Sequence, residues 1–142
     1  MRLRLATCLF LLLSQTALAW ETPTRGSADR RGMMDAMRPI AEWNLGAPVE
    51  FVVHDLRVDG RLGFASVTPQ RPGGGWINPM TTPMALRDGM DMSYLEVANM
   101  QALLQKQGNA WVVVYSLIGA TDVWWSERRL CEHWSRVTPE VC

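Results

Sequence analysis

Few residues in this chain have both the type and the spacing to do chemistry. His54 and Asp55 stand side by side, and Asp122 ends a later strand-like run. A general base must lie within hydrogen-bond reach of its partner. Neighbours on a regular strand point to opposite faces, so His54 and Asp55 form a dyad only if a bulge turns one of them. The pattern favours the plainer reading, a solvent-facing His54 with Asp55 at a bulge. Cys131, with His133 two residues on, has the makings of a thiolate nucleophile, but Cys142 offers a disulfide instead. His54 and His133 are far apart in sequence with no local carboxylate pattern, so no metal site is expected. No Gly-x-Ser-x-Gly, His-Glu-x-x-His or phosphate-loop motif occurs, and no cofactor is implied.

Two binding constellations stand beside these. Arg71 precedes Gly73-Gly74-Gly75, whose backbone N–H groups can face an anion, although such runs serve more often as flexible loops. Trp76, Trp124 and Trp125 have the chemistry of an aromatic platform for sugar or cell-wall material. Adjacent tryptophans on a helix diverge by ~100°, which places one in the core and the other at the surface. Thr121 and Asp122 can line the mouth of a site, but a helix cap is the simpler role for them.

The compartment bears on each of these readings. Arg2 and Arg4, the apolar run Leu5 to Leu13, and the small-x-small Ala17-Leu18-Ala19 read as a signal peptide over residues 1–19. That run is too short to span a bilayer and no second one follows. The mature chain is therefore expected to begin near Trp20, to carry no transmembrane segment, and to be periplasmic or secreted. Taking nineteen residues from 142 leaves 123, which suits one domain. The leader holds two of the fourteen basic residues and no acidic one, so twelve bases face fourteen acids, a net charge of −2. That balance argues against nucleic acid or an anionic membrane as the partner. Cys8 falls within the leader, and in an oxidising compartment Cys131 and Cys142 are expected to be bridged, worth ~2–4 kcal/mol.

The elements that must position these side chains follow from periodicity. Residues 20–28 are polar, with Pro and Gly, and read as a loose arm. Ser27 or Asp29 can cap a helix running to about Leu45, with Met33, Met37, Ile40 and Ala41 on one face. Pro39 should kink it or start a second helix. Val49, Phe51 and Val53 alternate as a strand whose parity switches to Leu56 and Val58, which predicts a bulge near His54-Asp55. Asp59-Gly60 turns the chain into a second strand to Thr68. A long loop rich in Pro, Gly and Met spans residues 69–93. Residues 94–107 suit either a strand or a helix. The Gly108-Asn109 turn into Trp111–Tyr115 favours a hairpin, and Val123 to Trp134 reads as a short helix. The layout is a single α+β domain over residues 29–142. An N-terminal helix packs on a four-stranded antiparallel curved sheet, with a short C-terminal helix, a plan that cystatin-like and cone-like folds satisfy.

Three segments, RPIAEWNLGAPVEFVVHDLRV, FASVTPQRPGG and GNAWVVVYSLIGATDVWW, resemble small exported proteobacterial proteins of unknown function. The likeness spans residues 37 to 125 and implies an envelope location in a Gram-negative bacterium, with no particular activity. That family tends to have Trp-Ala-Phe in the second strand, where this chain has Leu62-Gly63-Phe64, so a packing aromatic is missing. The expected function is a non-catalytic binding module for an envelope protein or cell-wall ligand, acting through the 69–93 loop and the open end of the sheet. The alternative is a small-molecule or weakly hydrolytic site inside a cone, with His54, Asp55 and Asp122. A third reading is self-association through exposed Trp and Met.

Overall fold

The computed structural model describes residues 20–89 and 99–142. Ser27 opens the first helix, α1 (Ala28–Leu45), by accepting the Arg30 N–H on its hydroxyl at 3.2 Å. This satisfies one of the donors that a helix start leaves unpaired. Met33, Met37, Ala41 and Leu45 recur every fourth residue and are fully buried, the apolar stripe by which a surface helix packs. Pro39 starts no second helix, and α1 runs on through it. Pro39 and Asp35 both lie on the exposed side, where water can serve the carbonyl that loses its donor. Gly46, at φ 81°, ends the helix with its N–H on the Glu42 carbonyl.

The remaining elements are β1 (Glu50–Asp59), β2 (Leu62–Gln70), α2 (Pro83–Asp88), β3 (Met100–Gln107), β4 (Ala110–Ile118) and α3 (Arg128–Trp134). The strands form an antiparallel meander in the order β1-β2-β3-β4, and the chain is an α+β fold. Val53 faces Val67 and Asp55 faces Ser66, so His54 is the extra residue of the bulge that the parity switch predicted. Of the segment left open between strand and helix, residues 100–107 are strand, and 94–98 lie outside the described residues. The long loop is shorter than the sequence suggested. Pro69 and Gln70 extend β2, residues 79–81 make a 3-10 turn, and α2 follows; residues 90–93 lie outside the described residues.

Two cores flank the sheet. On one face α1 and α2 meet Leu56, Val58, Ala65, Val67, Met100, Leu104 and Trp111. A Cβ on Gly32 would come within 2.8 Å of the Trp111 ring, and one on Gly63 within 3.0 Å, so the room beside Gly63 is taken by Trp111. The interior where a cone-type site would lie is filled by Met33, Met37, Met100 and Leu104, all fully buried. On the other face Phe64 and Leu103 receive Trp124, Leu130, Trp134 and Val137 of the C-terminal segment. Central strands covered on both faces lose the simple in–out alternation, as Phe64 and Ala65, both buried, show.

Both ends of the described chain are tied to this frame. Within residues 20–28, Glu21 and Val58 of β1 exchange two backbone hydrogen bonds of 2.8 Å, and Trp20 stacks under Arg57. Cys131 and Cys142 form the expected disulfide, with Cα atoms 5.3 Å apart. No helix among the described residues is long and apolar enough to cross a membrane.

Candidate functional site

The segment after β2 is held more firmly than its Gly content suggests. Arg71 donates through its guanidinium to the carbonyls of Leu45 at 2.8 Å, Pro48 at 3.0 Å and Gly46. It thereby serves the acceptors that α1 leaves free at its C-terminus. Arg71 and Gly75 close a small turn through two backbone hydrogen bonds of 2.8 and 3.2 Å, Arg71 N–H to Gly75 and Gly75 N–H to Arg71. Glu50 on β1 accepts both the Gln70 amide and the Gly73 N–H at 3.0 Å. Ile77 is buried at the far end. Between these anchors Trp76 stands 74% exposed. The result is a large indole left in water on a pinned loop.

Beside Trp76 lies an open cavity of about 170 Å³ whose walls include Thr68, Gln70, Gly74 and Ile77. Every lining residue is uncharged. His54, which is exposed, holds the Thr68 hydroxyl through Nε2 at 2.6 Å. The arrangement offers one flat apolar surface next to neutral donors and acceptors.

The residues singled out in the sequence are distributed as follows. His54 engages only Thr68, whereas Asp55 is gripped by Arg57, with contacts of 2.5 to 3.0 Å. Asp122 is exposed in the loop after β4 and has no hydrogen-bond or ion-pair partner among the described residues. The three do not converge. The cap reading of Thr121 and Asp122 also fails: the C-terminal helical turns begin at Val123 and Glu127, neither with a side-chain cap. Arg71 anchors the fold, giving three of its five guanidinium N–H donors to carbonyls. Trp124 is 9% exposed and Trp125 packs on Phe64, with ring centroids 5.3 Å apart. Phe64 lies six residues from Gln70 along β2, about 20 Å at the usual strand rise, so the shared Trp76–Trp124–Trp125 platform does not form. Cys131 is consumed by its disulfide. Among the described residues no group of three or more His, Cys, Asp or Glu could hold a metal ion.

Two charge clusters escaped the sequence. Arg57, whose side chain is 12% exposed, bridges Asp55 and Glu140, donates to the Val137 carbonyl, and lies over the rings of Trp20 and Phe64. Burial works against its charge, yet the hydrogen bonds and charges of both carboxylates outweigh burial and raise its pKa. Burial likewise pushes Glu140 up, but its own backbone N–H and the Arg57 guanidinium bring it below the usual carboxylate value. On the α1 face of the sheet Asp29 accepts Lys106 Nζ at 2.6 Å and the Trp111 indole at 3.0 Å. The Lys106 hydrogen bond chiefly lowers its pKa; burial opposes this, and the Trp111 N–H and the Lys106 charge assist. The only sequence signal for either cluster is a charged residue beside an apolar strand or helix start, which also describes ordinary surface positions.

Compared with models of known families, with curated proteins and with solved structures, the chain matches none.

Proposed function

We propose that this chain is an exported, non-catalytic binding domain that takes a neutral glycan of the cell envelope against Trp76. One observation carries the reading: an indole 74% exposed on a loop pinned by Arg71 and Glu50, beside a cavity lined only by uncharged groups. Sugar rings present a flat C–H face that stacks on an indole and a rim of hydroxyls that pair with neutral side chains. Thr68 and Gln70 supply that chemistry, while a charged ligand would meet no counter-charge in the lining. The pinned loop lowers the ordering cost of binding. Export is supported by the leader pattern of residues 1–19, by the Cys131–Cys142 bridge, and by the resemblance to exported proteins of Gram-negative bacteria. A hydrolytic reading would need His54, Asp55 and Asp122 to meet, and they do not.

The test is co-sedimentation of the purified, disulfide-bonded protein with insoluble peptidoglycan sacculi. Trp76→Ala should weaken retention about 30-fold, the loss of a ~2 kcal/mol contact, with an unchanged melting temperature. Failure of the wild-type protein to sediment, or equal retention of Trp76→Ala, overturns the glycan reading.

A further inference from the structure

The sheet has two edges, and the chain treats them differently. The β1 edge carries Glu50, Asp55, Arg57 and Asp59, is interrupted by the bulge at His54, and has Val58 covered by Glu21. Charge, a bulge and a covering residue are the devices that keep an edge from recruiting another strand. The β4 edge has neither charge nor proline anywhere from Ala110 to Ile118. Among the described residues no backbone or side-chain hydrogen bond reaches its outer side. The register shift on β4 makes Val114 the extra residue there, which leaves Tyr115–Ile118 as an uninterrupted run. Tyr115 is 41% and Leu117 48% exposed on this run.

Alongside it lies a second cavity of about 170 Å³, between Tyr115, Leu117, Trp124 and Leu130. Glu127 and Arg129, paired at 2.8 Å, form part of its wall. A strand suited to this edge must be uncharged, bear an apolar side chain the size of the cavity, and tolerate a rim with one acid and one base. β4 is itself such a strand. Antiparallel pairing is two-fold symmetric, so each free N–H on one copy meets a free carbonyl on the other. Two identical rims of one Glu and one Arg carry no like-charge excess.

We infer that a second copy of this chain docks edge to edge along Tyr115–Ile118. The two sheets join into one continuous sheet, and an apolar side chain of each β4 enters the Trp124 cavity of the other. This surface is separate from the Trp76 cavity, so it stands whether or not that cavity takes a glycan.

Sedimentation equilibrium of the protein purified from the periplasm of an expression host decides the matter. The expected result is a monomer–dimer equilibrium with a dissociation constant of ~10 µM, as suits a small interface. Leu117→Lys, at an exposed position, should weaken dimerisation at least about 10-fold without lowering the melting temperature. Trp43→Ala, on α1, should leave dimerisation unchanged. Amide exchange at residues 115–118 should slow with rising protein concentration. A monomer throughout the range up to ~500 µM overturns the inference, as does a dimer that Leu117→Lys leaves intact.

Discussion

Arg57 on β1 and Glu140 in the C-terminal tail, 83 positions apart, are joined by two hydrogen bonds from one guanidinium nitrogen, at 2.7 and 2.8 Å. The same side chain holds Asp55 and faces the rings of Trp20 and Phe64. It therefore fastens Trp20 and the C-terminal tail to the same strand. Removing a largely buried cation strands two carboxylates and opens a gap beside the rings. Arg57→Leu should cost ~2–3 kcal/mol, below the upper range for buried pairs because both carboxylates keep some access to water. Urea unfolding of the two proteins at neutral pH measures it.

Glu140 and Asp29 both titrate below the ordinary carboxylate range in the folded chain. A depressed folded pKa means that the ionised form favours folding. That stabilisation is complete above the unfolded value of ~4 and fades as pH falls through the folded values. The urea midpoint should hold from pH 7 to 5 and then decline. In the double variant Asp29→Asn, Glu140→Gln it should start lower at pH 7 and decline less. Parallel pH profiles for the two proteins would contradict this.

The Cys131–Cys142 bridge closes an eleven-residue span that contains Glu140. Cross-linking a loop of this size removes unfolded conformations worth ~2–3 kcal/mol. Reduction should lower the melting temperature by ~10 °C for a chain of this length. Because the bridge and the Arg57–Glu140 pair order the same tail, Cys131→Ser combined with Arg57→Leu should cost less than the sum of the single changes.

Arg71 links the end of α1 to the loop that carries Trp76. Arg71→Met keeps the aliphatic stem but leaves the carbonyls of Leu45, Gly46 and Pro48 without their donor. The expected loss is ~2 kcal/mol. Faster amide exchange at Gly75 should accompany it, since the turn loses its anchor. Glycan retention should fall as well, because the loop that carries Trp76 loses its anchor.

Much of the fold was legible where information is local. The spacing of Met33, Met37 and Ala41 together with the Ser27 hydroxyl specified α1. The switch of parity after Asp55 placed the bulge, and Gly60 and Gly108 marked both hairpins. That α1 runs on through Pro39 was not legible, because the penalty depends on whether the freed carbonyl meets water, which burial decides and spacing does not. The polar composition of residues 20–28 likewise gives no sign of the two backbone bonds between Glu21 and Val58.

By itself, the amino-acid sequence determined the α+β layout, the antiparallel order and the two cysteines with a reason to pair, since each follows from periodicity, turn residues or number. Only the tertiary structure decided which polar side chains had work left to do. Arg71 and Asp55, circled as site residues, are occupied by the Leu45 carbonyl 26 positions away and by Arg57. Trp124 packs against Leu103 and Leu130, Trp125 is half-buried, and of the three candidate tryptophans Trp76 is the one left largely in water. Whether a donor, a charge or an indole is free depends on partners brought together from distant parts of the chain. No spacing rule records such partners, and the packed sheet supplies them.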